Sequence, residues 1–171
     1  MSVPEVMKWT GEWEKVEVTV DSGASEWIGP ESVAKHLAIE PTAASKAGAW
    51  YEAANGTRIF NKGQKRLTGV GTDGTALSVT MQVGDVTRVL GAVSRMTQAG
   101  NRVVFDNDGS YVQNKQTGHR TEIELRNGEY KLDMWIPKAA DFKGGGIEAV
   151  NGPNSTTTTP GTTFTRPEQL V

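Results

Sequence analysis

The chain has no cysteine. Disulfides, thiolate nucleophiles and cysteine-based zinc sites are thereby excluded. Histidine is almost as scarce, with only His36 and His119. A Ser-His-Asp triad would have to use one of them, neither lies in a nucleophile motif, and two isolated imidazoles make a poor zinc site. Both are expected at the surface. Charge of one sign is also lacking, since the net charge is −2, so there is no general basic footprint for nucleic acid. The small cluster Lys62, Lys65 and Arg66 reads as a solvated strand face. No apolar run approaches the roughly 18 residues of a membrane span, and the N-terminus lacks a basic-then-apolar leader. The sequence therefore reads as soluble, intracellular and not secreted, with no membrane and no nucleic acid as partners and no metal or other cofactor.

Hydrophobic residues make up only 36% of the 171 positions, whereas glycine contributes 20 of them. With frequent Val and Thr, that profile favours strands and turns over helices. The length suits one domain, or one domain plus a tail. Residues 1–139 are expected to form the domain. Residues 140–171 are expected to be a flexible tail or linker, because Gly144-Gly145-Gly146 and the run from Ser155 to Gly161 cannot bury enough apolar area to offset chain entropy.

Alternation and turn chemistry mark the strands. Lys15-Val16-Glu17-Val18-Thr19-Val20 places a valine at every second position, the pattern of a half-buried strand. Ala49-Trp50-Tyr51 and Arg58-Ile59-Phe60 flank an Asn55-Gly56 tip, a strong hairpin signal. Gln64 to Val70 and Ala76 to Val83 flank Thr72-Asp73-Gly74-Thr75. Arg102 to Phe105 and Tyr111 to Gln113 flank Asp108-Gly109, and Thr121 to Leu125 and Tyr130 to Ile136 flank Asn127-Gly128. One short helix is expected near residues 92–99, from the three-residue spacing of Val93, Met96 and Ala99 with Gly100 as its C′ residue. Val33 and Leu37 have helical spacing too, but Pro30 and Pro41 bracket only a short, ambiguous piece.

Two motifs reduce to turns. Gly69-Val70-Gly71-Thr72-Asp73-Gly74 fits G-x-G-x-x-G, but a dinucleotide fingerprint must open a helix, and the run from Ala76 reads as a strand. Asp106-Asn107-Asp108 lacks the downstream glutamate of a calcium loop. Asp21-Ser22-Gly23 carries more chemistry. It puts a carboxylate at the end of a rigid strand, followed by a glycine that lets backbone or substrate come close. Aspartic proteases need this arrangement, although a strand-end turn has the same composition.

The order of the flanking pieces adds weight to the catalytic reading. Val18-Thr19-Val20-Asp21-Ser22-Gly23-Ala24-Ser25, then Ala54-Asn55-Gly56-Thr57-Arg58-Ile59, then Met81-Gln82-Val83-Gly84-Asp85-Val86, then Val89-Leu90-Gly91-Ala92-Val93-Ser94-Arg95-Met96 and Ala99 to Phe105 together resemble the retroviral-type aspartic proteases (retropepsins). The likeness is to the branch found in copia-type retrotransposon polyproteins. The resemblance covers residues 12–137. It implies an all-β, mainly antiparallel fold, a retropepsin-like closed barrel or sandwich with a flap hairpin. It also implies that Asp21 is catalytic, that Ser22 and Gly23 support the active-site loop, and that the hairpin around Ala54, Asn55, Gly56 and Thr57 is the flap. Ala24, Ser25, Glu26, Trp27, Ile59 and Val86 would then meet substrate, with Ile28 as a further pocket wall. Val89-Leu90-Gly91 would pass beside the catalytic loop. Two departures stand out. Retropepsins usually follow that glycine with Arg and then Asn or Asp, where this chain has Ala92-Val93. Many also have an acidic residue directly after the Asp-Ser-Gly-Ala step, where this chain has Ser25 and then Glu26.

An aspartic protease needs two neighbouring carboxylates, and the chain has one Asp-Ser-Gly. The implied enzyme is therefore a homodimer that places Asp21 of both protomers at the two-fold axis. It would act on an extended peptide or polyprotein substrate, with the cytoplasm or a retroelement particle as its location. Tyr130 to Ile136 is the candidate strand for the dimer interface. The competing reading is a catalytically inactive retropepsin-like module for peptide binding or assembly.

Overall fold

The computed structural model describes residues 11–138, together with the strand backbone of Thr163–Phe164. The elements are β1 (Trp13–Asp21), β2 (Ile28–Gly29), α1 (Ala43–Lys46), β3 (Trp50–Glu52), β4 (Arg58–Phe60), β5 (Gly63–Gly71), β6 (Ala76–Val83), β7 (Val89–Ala92), α2 (Val93–Gln98), β8 (Asn101–Val104), β9 (Ser110–Asn114), β10 (Arg120–Arg126), β11 (Glu129–Pro137) and β12 (Thr163–Phe164).

The alternation in β1 sends Val16, Val18 and Val20 into the core and leaves Lys15 and Glu17 outside. All four hairpins form where the turn residues place them. Their registers pair Tyr51 with Ile59, Leu67 with Val79, Val103 with Val112 and Leu125 with Tyr130. At the β10–β11 turn, Asn127 and Gly128 have φ of 51° and 81°, the left-handed pair that a two-residue hairpin loop requires. The expected helix is α2, which buries Met96 completely. The ambiguous stretch yields turns over residues 31–36 and then α1, whose N-cap Thr42 exchanges hydrogen bonds with Ser45 in a capping box. Asp106 to Gly109 forms the β8–β9 turn, and the Gly69 to Gly74 motif spans the end of β5 and its turn into β6.

All strands but β3 and β4 belong to one mixed, mainly antiparallel sheet. Along it the order is β1-β7-β2-β6-β5-β11-β10-β9-β8, and β11 also pairs with β1. The core beneath it gathers Val18, Leu67, Met81, Met96, Leu132 and Met134. β12 pairs in parallel with β6, Thr163 opposite Ser78 and Phe164 opposite Val79. The rest of the proposed 140–171 tail lies outside the described residues. Among the described residues no helix is long and apolar enough to cross a membrane.

β11 corrects one expectation. It pairs with β1 along one edge and with β10 and β5 along the other. A strand hydrogen-bonded on both sides has no open edge to offer a second chain, so the alternation of Tyr130 to Ile136 reflects a central strand and not a dimer strand.

The outer face of β1 and β11 carries a charge network. Arg126 grips Asp133 with two hydrogen bonds, at 2.9 and 2.6 Å, and also reaches Glu17 and Glu124. Lys131 donates to Thr19 at 2.7 Å and pairs with Glu129. The Arg126 guanidinium holds the buried Asp133 carboxyl below its usual range. A depressed folded-state pKa adds stability that is present above the ordinary value of about 4 and is lost as pH falls through the folded value. Asp133→Asn should therefore cost about 2 kcal/mol at pH 7, and its gap to wild type should close below about pH 4. Urea midpoints measured across pH will show this, and a gap that stays constant with pH would refute it.

Candidate active site

Asp21 is the last residue of β1, and its carboxylate is held by its own loop. Oδ1 accepts the Gly23 N–H at 2.7 Å. A Cβ built on Gly23 would lie 3.3 Å from that same oxygen, so a larger residue here would press on the carboxylate. Asp21 is half-buried, whereas Ser22 and Gly23 are exposed. The carboxylate therefore has one oxygen fixed by a backbone donor and sits beside an accessible loop. A carboxylate oriented in this way can act as a general base toward a bound water.

The seat of this loop is built by β7. After Asp21 the chain turns through residues 22–27 and returns as β2, leaving a slot between β1 and β2. β7 fills it, parallel to β1 with Val20 opposite Gly91 and Asp21 opposite Ala92, and antiparallel to β2 with Ile28 opposite Leu90. The apolar-apolar-Gly step has a packing reason. A Cβ on Gly91 would collide with Val18 Cγ1 and press on Met96 and Trp27, so only glycine lets β7 lie this close to β1 and the loop. Val89-Leu90-Gly91 thus passes beside the Asp21 loop, as the resemblance implies.

The loop is also tied to α2. Ser94 Oγ donates to the Ala24 carbonyl at 3.4 Å. Glu26 and Arg95 form an ion pair at 3.3 Å, with side chains 1% and 10% exposed. Ala92 is fully buried and Val93 half-buried, so neither occupies a polar position. The charged link between loop and helix is made instead by Arg95, one turn further along α2. Sequence reasoning missed Arg95. The signal available was its place one helical turn after Ala92, on the side that faces the loop.

The remaining candidates divide into three groups. Ala54, Asn55, Gly56 and Thr57 are exposed at the tip of the β3–β4 hairpin, where Asn55 Oδ1 accepts the Thr57 N–H at 3.0 Å. Ile28, Ile59 and Val86 gather around Gly84. A Cβ on Gly84 would meet Ile59 at 2.7 Å and Ile28 at 3.3 Å, and the Val86 N–H donates to the Gly84 carbonyl. Trp27 is a correction. It is 2% exposed and packs in the core against Gly91, because the chain must bury its apolar bulk as it re-enters the sheet at β2. Ser25 is half-buried and Glu26 is buried, so of residues 24–26 only Ala24 and Ser25 retain any open surface.

One further side chain, Lys65, departs from the sequence reading, whereas His119 is exposed, as expected. Lys65, expected on a solvated face, is 2% exposed and donates to the carbonyls of Glu31, Val33 and Ala34 at 2.8, 2.9 and 3.2 Å. Burial pushes its ammonium below the usual lysine range. Ala34 takes an unusual φ of 52°, and its N–H is held by both oxygens of Glu14. One strained turn is thus clamped by an acid from β1 and a base from β5. His36 is half-buried, and His119 sits against Asp73 and Thr75. That group is not a triad, since acid and hydroxyl share one imidazole nitrogen, Nε2, whereas a triad base uses both.

Comparison with known proteins gives no match to any family model, curated protein or solved structure.

Proposed function

We propose that this chain is one subunit of a homodimeric aspartic endopeptidase of the retropepsin type. The observation that carries the reading is the seat of Asp21. A carboxylate at a strand end accepts a hydrogen bond from the glycine two residues on, in a loop backed by a strand inserted between the two strands that flank it. The barrel belongs to the same reading, supported by a pairing path that runs from β1 through β7, β2, β6, β5 and β11 and back to β1. The exposed β3–β4 tip would be the flap.

Each chain contributes one carboxylate, so two protomers meet with Asp21 facing Asp21 and with Ser22 and Gly23 at the axis. Like charges about 3 Å apart do not both ionise, so the pair shares one proton and titrates as a unit. The ionised member takes a proton from water as it attacks the scissile carbonyl. The protonated member donates to the carbonyl oxygen. Substrate is an extended peptide of a polyprotein, gripped by main-chain hydrogen bonds and selected by side-chain pockets. The pocket walls would include the half-buried Ile59 and Val86. The dyad supplies the acid, the base and the activated water, so the reaction draws on no cofactor.

The shared dyad makes activity depend on concentration. Specific activity in a peptide-library digest should fall in proportion to the dimer fraction measured by sedimentation as the chain is diluted. Activity per chain that holds constant through dissociation would exclude a site shared between protomers. A dimer that cuts no peptide would instead be the inactive binding or assembly module.

A further inference from the structure

β3 and β4 form a two-stranded sheet separate from the large one, so the hairpin is attached mainly at its base. There the chain runs through Asn61, whose N–H donates to the Ala49 carbonyl at 2.9 Å, and Lys62, whose N–H donates to the Val83 carbonyl at 2.8 Å. The Asn61 side chain does more. It is 5% exposed, and its Nδ2 donates to the Tyr51 hydroxyl at 3.1 Å and to Gln82 Oε1 at 2.8 Å. Its Oδ1 accepts the Gly63 N–H at 2.8 Å. A single amide therefore spends both donors and an acceptor on joining β3, β6 and the first residue of β5. Gly63 has φ of 129°, and a Cβ there would collide with Ile39 and the Glu40 carbonyl. The turn that directs the chain out of the hairpin is thus fixed on one side by glycine and on the other by Asn61.

The cluster is buried yet not fully satisfied. Gln82 is 2% exposed, and its Nε2 has no acceptor among the described residues. Buried polar networks are rigid when every member is paired and yield first where one is not. Toward its tip the hairpin is exposed, and its apolar footing is the buried Tyr51 ring together with Ile59 against Gly84.

We propose that Asn61 is the hinge lock of the β3–β4 hairpin, which swings as a unit about residues 61–63, and that Tyr51 and Gln82 are the two catches it holds. Asn61 is then a positioning residue that acts through the hairpin tip. Its effect on cleavage rests on the protease reading, but the motion itself does not.

Hydrogen exchange read by mass spectrometry on the full chain tests the lock directly. Removing the Asn61 side-chain bonds in Asn61→Ala should speed exchange of the hairpin amides, residues 50–60, about tenfold. Amides in the centre of the β5–β6 pair should keep their wild-type rates. Tyr51→Phe, which deletes one hydroxyl and keeps the ring, should give a smaller change of the same sign and covers the case in which Asn61→Ala fails to fold. Hairpin amides unchanged in Tyr51→Phe and in a folded Asn61→Ala, or core amides accelerated to the same degree, would overturn the proposal. Peptide cleavage is the second readout, with KM rising more than kcat falls in both variants. Faster hairpin exchange in a chain that cleaves nothing would refute the protease reading and leave the hinge standing.

Discussion

Asp21→Asn is expected to lower peptide cleavage at least ~10³-fold, the scale of losing a positioned acid–base group, while the urea midpoint stays close to wild type. The geometry explains why the two effects separate. Asn keeps an oxygen at the Oδ1 position, so the Gly23 N–H that donates there at 2.7 Å retains its acceptor and the loop keeps its shape. On the proposed mechanism, what is lost is the basicity needed to take a proton from water and the exchangeable proton that the two Asp21 carboxylates would share. In a homodimer the lesion should also spread. Excess Asp21→Asn chain mixed with wild type should silence it by forming mixed dimers, each with one carboxylate. Wild-type hydrolysis rates in the variant would end the assignment. A variant that is inactive alone but leaves wild type untouched in the mixture would count against the shared dyad.

Arg95→Met should produce the largest loss of stability, about 3 kcal/mol. Glu26 is 1% exposed at its side chain and lies 3.3 Å from the guanidinium. Removing the cation strands a carboxylate in a place where water reaches it poorly, and breaking a buried pair from one side is costlier than deleting both partners. Glu26→Gln on the Arg95→Met background should therefore recover part of the loss. Equilibrium urea unfolding of the two single variants and the double variant measures this as a cycle. A loss under about 0.5 kcal/mol, typical of a surface pair, would show that the link between loop and helix contributes little.

The local elements were legible because their causes are local. Alternating valines made β1 a strand, Asn55-Gly56 and Asn127-Gly128 made hairpins, and three-residue spacing made α2. The seat of Asp21 was legible only in part. Its strand-end position and the following glycine could be read from neighbours in the chain. Its partners could not, since Gly91 and Arg95 come from a segment whose approach depends on the sheet order. Trp27 and Lys65 were misplaced for the same reason. A tryptophan just after the Asp-Ser-Gly turn and a lysine in a basic run carry no local mark of burial. Trp27 is buried because β7 packs against it, and Lys65 because three carbonyls of the 31–34 turn converge on its ammonium.

By itself the sequence determined the hairpin strands of residues 49–136 and their turns, the strand that ends on Asp21, and the absence of thiol chemistry. Each follows from the residues within a few positions of one another. Only the tertiary structure decided that β7 enters between β1 and β2, that β11 is paired on both edges and closed to a second chain, that Glu26 finds its cation on α2, and that one asparagine gathers the base of the hairpin. These are long-range pairings. They are chosen by which apolar faces bury best against each other across the whole sheet, and no window of the chain contains that information.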